Sequence, residues 1–216
     1  METFHKRLDK VSAEVIEMGE HAMTMLNQAM EALINLDDEL AENVHAEKDR
    51  LLEYDVEIER EVLQILGLYQ PVASDLRRIS CILKTIAHLY RIGRYGKDIA
   101  NIVRKELKGR SHIKKIVSLP QMNRIVIAMI SDVLEAFKSN SKENLDEFEN
   151  RDDEVDELRI SIYRECITYM LEDQRNIPIC MAYTMIARYL ERCGDHACNI
   201  AEKVHYMVTG ERVEIK

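Results

Sequence analysis

The sequence contains no tryptophan, and only 3 phenylalanines, 3 prolines and 7 glycines among 216 residues. So few turn formers and helix breakers exclude an architecture of many short strands and tight turns, and leave a helical one. No apolar run approaches the roughly 20 residues of a membrane span. The first ten residues, METFHKRLDK, lack the apolar core of a signal peptide, so the chain is expected in the cytoplasm. The 5 cysteines are odd in number and form no CxxC pair, which excludes a disulfide framework or zinc ribbon and points to small buried residues in a reducing compartment. A nucleophile elbow, a phosphate loop and HExxH are all missing, so there is no catalytic constellation. At a net charge of −9 the chain also lacks the clustered Lys and Arg that nucleic acid would require.

What is present is a chain that can bury a core. It is 46% hydrophobic and 32% charged, and rich in Glu, Lys, Leu, Ala, Met and Arg. It also repeats itself. Residues 89–103 and 190–204 match at an offset of 101 in six positions of fifteen: Leu89/Leu190, Arg91/Arg192, Gly93/Gly194, Ile99/Ile200, Ala100/Ala201 and Val103/Val204. A fixed-offset match of this kind reads as a duplication, giving two related halves.

Hydrophobic periodicity fills in the rest. Phe4, Leu8, Val11, Val15, Met18, Ala22, Met25, Ala29, Leu33 and Leu36 alternate steps of three and four, which predicts a long amphipathic helix over 2–36. Asp37 and Asp38 end it and cap the next, which runs from Glu39 to Leu68 until Gly67 and Pro71 break it. A third helix covers 72–107. Residues 108–119, basic and bounded by Gly109 and Pro120, read as a linker, after which the scheme repeats over 122–137, 141–171 and 177–208, with Gly210 as the last stop. The expected fold is all-α: six long helices in two tandem antiparallel three-helix bundles related by internal duplication. The bundles divide as residues 1–108, a linker at 109–120, and 121–216.

The fifth helix opens with nine acids against two bases between Lys142 and Glu157. Asp152 and Asp156 stand four apart on one face, and so do Glu191 and Asp195 on the sixth helix. Each pair alone could be a solvated face. Brought together on neighbouring helices, the four carboxylates make a candidate metal site for a hard or borderline cation such as Mg²⁺, Mn²⁺, Ca²⁺ or iron. His196 follows Asp195 directly instead of sitting in a Glu-x-x-His frame, which argues against a buried di-iron enzyme centre. His88 and His205 have no second ligand at a zinc spacing and read as structural. In the first half the corresponding positions are Asp55 and Glu59, reached at an offset of 97, with Tyr90 and Arg94 in place of Glu191 and Asp195. Arg94 is expected to pair with Asp55 and Glu59, steadied by Asp98, and to take the place of a metal.

LERCGDHACNIAEKVHYMVTGE at 190–211 resembles the signature that closes PhoU proteins, and QPVASDLRRI at 70–79 resembles the QPVA-x-DLR stretch in their middle. The resemblance spans residues 2–211. It implies a non-enzymatic negative regulator of phosphate uptake and phosphate-starvation signalling. The implied partners are the ATPase subunit of a phosphate ABC transporter and, where present, a membrane sensor histidine kinase, with the protein itself a homo-oligomer, a dimer, peripheral to the membrane. It also implies a metal ion or small cluster, iron foremost, with zinc, manganese or magnesium as other candidates, held by paired acidic motifs. Residue by residue these are Asp152 with Asp156 and Glu191 with Asp195, whereas Tyr90 and Arg94 depart from the pattern in the first half. The alternatives are a metal-independent helical adaptor and a carboxylate-bridged metalloenzyme.

Overall fold

The computed structural model describes residues 2–114, 117–143 and 145–215; residues 115 and 116 of the expected linker and 144 of the expected fifth helix lie outside it. Among the described residues there is no strand. The first half holds α1 (Glu2–Asn35), α2 (Asp38–Ala46), α3 (Lys48–Tyr69) and α4 (Ala73–Glu106), and the second α5 (Ser118–Ser139), α6 (Phe148–Glu172) and α7 (Ile177–Thr209), with a 3₁₀ turn at Gln174–Asn176.

The apolar stripe of α1 is buried as the periodicity requires, from Phe4 through Leu33. The stripe's last member, Leu36, instead leaves the helix with φ 53°, and the Asp37 amide reaches back to Ala32 O at 2.9 Å. Asp37 caps α2 through its carboxylate, which accepts from the amides of Glu39 and Leu40. The expected second helix is broken once, at Glu47. There ψ opens to −9°, and His21 of α1 lies 3.4 Å from the Glu47 carbonyl. Gly67 does not stop the helix; Gln70, left-handed at φ 48°, does. The expected fifth helix starts later, at Phe148. α5 starts earlier, at Ser118, with Pro120 in the first turn where its missing N–H costs nothing. The four residues that separate the two repeat offsets fall beyond the point matching the end of α3, where α6 runs on and the 3₁₀ turn follows.

Within each half the three rods run up, down and up. Arg7 of α1 binds Glu61 of α3 with antiparallel register, and Arg78 of α4 binds Asp9 of α1 with parallel register. The halves are packed against each other through α1 with α5 and α4 with α7, both antiparallel, as the contacts Asn123–Asn27, His88–His196 and Tyr95–Tyr189 show. One continuous apolar core joins them. Shifted by 101, His88 corresponds to Tyr189 and Tyr95 to His196, so these two ring pairs are equivalent and a pseudo-two-fold axis passes between α4 and α7.

Glycine marks the closest approaches. A Cβ on Gly93 would lie 2.5 Å from Leu51, and one on Gly96 would lie 3.1 Å from the backbone of Met25 and Leu26. These small residues let α4 seat against α3 and α1.

Candidate metal site

α6 buries Phe148, Val155, Ile162 and Cys166 against α7, which leaves Asp152 and Asp156 along the edge of that seam. α7 buries Leu190, Cys193, Gly194 and Ala197 and brings Asp195 to the same edge. Gly194 makes room for this meeting: Oδ1 of Asp152 lies 3.2 Å from where a Cβ at 194 would be. Asp152 is the electrostatically uncomfortable member. Burial, then Asp195 and Asp156, push its carboxyl from 3.8 up to about 6, against the pull of a hydrogen bond from the Cys198 thiol. That thiol is itself pushed far up by burial and by Asp152.

Asp195 is bound by Arg192 on its own helix at 3.0 Å, and Asp156 is exposed with no ion-pair partner among the described residues. Asp152 and Asp195 line a cleft of about 540 Å³, together with Arg91, Arg192, His196 and Asn199. Arg91 and Arg192 are repeat equivalents and flank the pseudo-two-fold axis.

Glu191 is placed differently. It is only 9% exposed and is held by Arg188 Nη1 at 2.5 Å and by Arg159 Nε at 3.3 Å. The four expected ligands therefore divide into Asp152, which feels the charge of Asp195 and Asp156, those two aspartates, and a glutamate held by two guanidiniums. Among the described residues no three His, Cys, Asp or Glu side chains are gathered closely enough to share a metal ion. The three aspartates are of the donor type that suits hard cations, and burial, then its two neighbours, drives Asp152 toward protonation, but they are not gathered as a ligand set.

The first half corrects an expectation. Arg94 makes no ion pair with Asp55 or Glu59 among the described residues; its guanidinium lies 6.0 Å from the Tyr90 ring, one turn back on its own helix. Tyr90 stands where the second half has Glu191 and offers that cation a π face. Asp98 is bound to Lys97 at 2.7 Å, not to Arg94. Asp55 accordingly titrates above its ordinary range, from burial and the charge of Glu59, with no arginine to lower it.

Sequence reasoning also missed the histidine pair. His88 Nδ1 and His196 Nδ1 lie 2.9 Å apart across the α4–α7 seam. The repeat offset carried the only signal for it, and that signal is readable only once the antiparallel register of the seam is known. His112, from the connection between the halves, bridges them: its Nδ1 meets the Tyr183 hydroxyl at 2.6 Å and its Nε2 the Ile34 carbonyl at 3.1 Å.

Comparison with known proteins places this geometry. The PhoU domain family model matches twice, at residues 15–103 and 119–204. The phosphate-specific transport system accessory protein PhoU homolog of Rhizobium meliloti is 34% identical over 211 residues, 97% of this chain and 89% of that protein. Its namesake in Escherichia coli K12 is 34% identical over 208 residues, 96% of this chain and 86% of that protein. The crystal structure of PhoU from Pseudomonas aeruginosa superposes with a TM-score of 0.91 at 33% identity, covering 96% of this chain and 100% of that one. The phosphate transport system regulatory protein PhoU of Streptococcus pneumoniae gives a TM-score of 0.89 at 27% identity, with 98% and 99% covered.

Proposed function

This chain belongs to the PhoU family, and on that premise we propose that it is a non-enzymatic regulator that restrains phosphate uptake and phosphate-starvation signalling. The observation that carries the reading is the double match of the family domain, one copy per half, with relatives named as accessory or regulatory proteins of phosphate transport aligned over nearly the whole chain. The proposed partners are the ATPase subunit of the transporter and, where the cell has one, a membrane sensor kinase. No described helix is long and apolar enough to cross a membrane, so attachment would run through those partners, from the cytoplasmic side.

Exposed apolar side chains support a docking role. Tyr163, Ile167 and Leu171 on α6 and Ile177, Met181 and Met185 on α7 are uncovered, as are Leu63, Leu68, Val72 and Leu76 in the first half, where Leu76 is the counterpart of Ile177. The proposed cation, iron foremost, would be held at Asp152, Asp156 and Asp195. Bound there, it would supply positive charge beside Asp152 and Asp156, which have no ion-pair partner among the described residues. Deleting the gene should derepress phosphate accumulation in phosphate-rich medium, measured as labelled phosphate uptake. Unchanged uptake in a strain without a second PhoU-type gene would refute the regulatory reading.

A further inference from the structure

The two ends of the α4–α7 seam are equivalent by repeat but not by chemistry. At one end a cleft of about 330 Å³ opens between α4, α7 and the segment that follows Gly210. Its walls carry three cations: Lys84 from α4, Lys203 from α7 and Arg212 from that last segment. At an offset of 101 the corresponding residues are Met185, Ile102 and Ser111. Ser80 and Glu202, also in the walls, correspond to Met181 and Asn101, and only Tyr206 is exchanged the other way, for Lys105. Packing of the seam therefore does not call for three cations here, in a chain whose net charge is −9.

An acid answers one of the three. Lys203 Nζ lies 3.0 Å from Glu202 Oε2, while Oε1 of that carboxylate accepts from the Ile215 amide at 3.2 Å. Lys84 and Arg212 make no ion pair among the described residues. The neighbouring arginines of α4 are already engaged, Arg78 by Asp9 at 2.9 Å and Arg77 by the Met207 carbonyl at 3.5 Å. Arg212 is steadied over the Tyr206 ring at 5.6 Å. The segment that carries it is tied down where the Glu211 amide donates to Thr209 Oγ1 at 3.0 Å. The positive field reaches the interior of the seam, where Lys203 and Lys84 both act to hold His88 down.

We infer that this cleft binds a phosphate group that carries a proton. Three cations and one acid leave two positive charges, which match hydrogen phosphate. The hydroxyls of Ser80 and Tyr206 add neutral donors suited to a tetrahedral oxyanion. Glu202 makes the choice of ion. Each carboxylate oxygen has two lone pairs, so with one partner apiece it can still accept a further O–H. Hydrogen phosphate brings that proton. Sulfate has the same shape and charge but no proton at neutral pH, and meets the carboxylate as a repulsion. A free ion and a lipid headgroup ending in a phosphate monoester both present the group. The cleft shares no residue with the one at Asp152 and Asp195, and the inference does not depend on the regulatory reading.

The test titrates the full chain with inorganic phosphate by calorimetry at pH 7 in chloride buffer, beside sulfate. A second arm measures co-sedimentation with phosphatidylcholine vesicles, with and without phosphatidic acid. One phosphate should bind per chain with Kd near or below about 1 mM, and sulfate should bind roughly tenfold more weakly or less. Lys84→Met with Arg212→Ser puts the other half's residues in place at two exposed positions, and should weaken phosphate binding about tenfold or more. Lys48→Met with Arg60→Ser removes the same charge from α3 and should change it less than about twofold. Glu202→Gln should narrow the gap between phosphate and sulfate. Retention only on vesicles with phosphatidic acid, lost on replacing Lys84 and Arg212, would assign the group to a lipid headgroup. Neither phosphate binding up to about 10 mM nor vesicle retention would overturn the inference. Sulfate bound as tightly as phosphate, or equal losses in the two double variants, would also overturn it.

Discussion

Asp152 shows how one carboxyl reports on its surroundings. Its folded value, about 6, lies above the ordinary 3.8, so between about pH 4 and 6 the folded chain holds a proton that the unfolded chain has released. This group therefore costs no stability below about pH 4, destabilises progressively as pH rises from about 4 to about 6, and its cost levels off above that. Metal-free Asp152→Asn should accordingly melt higher than the parent at pH 7.5, with the difference gone near pH 4. Equal melting curves at both pH values would mean that neither burial nor the charge of Asp195 and Asp156 raises the carboxyl at 152. What was legible at this scale follows from distance along the chain. The i, i+4 spacings place Asp152 with Asp156 and Glu191 with Asp195 on shared helix faces, but Asp195 reaches Asp152 only when α6 docks on α7. Arg188, three residues before Glu191, was readable as a local pair. Arg159 was not, since it is 32 positions away and meets Glu191 only when α6 docks on α7. Arg94 was misread because equivalence of position says nothing about where a long side chain turns, and a tyrosine replaced the acid beside it.

At the scale of the helix, periodicity was a strong guide to which faces are buried and a weak one to where rods end. The break at Glu47 has neither Gly nor Pro to announce it. The late start of α6 follows from an acidic stretch with few apolar residues to bury before Phe148. The α4–α7 seam was invisible to pattern reasoning, because each helix is apolar on more than one side. Its polar centre has a consequence. With Nδ1 facing Nδ1 at 2.9 Å, one imidazole donates and the other accepts, so the accepting ring is neutral. Burial, then His196, Lys203 and Lys84, hold His88 down to about 4, with Glu202 opposing. His196 is lowered by burial, by Arg91 and by Arg192, against Asp195. Folded values below the ordinary 6.5 mean that the unfolded chain takes up protons first as pH falls, so stability is lost below about pH 6.5. His88→Phe keeps a ring at the seam without its titration. Its Tm should fall less than the parent's between pH 7.5 and pH 5, and an undiminished fall would assign the acid sensitivity elsewhere.

For the whole molecule, the duplication is a symmetry as well as a repeat. α4 and α7 meet as antiparallel equivalents, and α1 and α5 also run antiparallel. Four helices thus form a central bundle, flanked by α2 and α3 on one side and α6 on the other, with one apolar core running through it. Sequence alone divides the chain into bundles at the basic connection, and nothing in that division reveals how much of each bundle's surface is covered by the other. Removing the second half would bare His88 and Tyr95 of α4, together with Gly19 of α1, whose missing Cβ lets Leu134 approach. A second copy of the first half could cover that face by the same geometry. In an antiparallel α4–α4 pair, His88 of each copy falls opposite Tyr95 of the other, the repeat equivalents of the ring pairs now at the seam. Residues 1–114 expressed alone should therefore form a symmetric dimer in light scattering, and dilution should unfold the chain instead of releasing folded monomers. A monomeric half that melts cooperatively, with a midpoint independent of concentration, would show that each bundle is a self-sufficient domain and that the shared core contributes little to either.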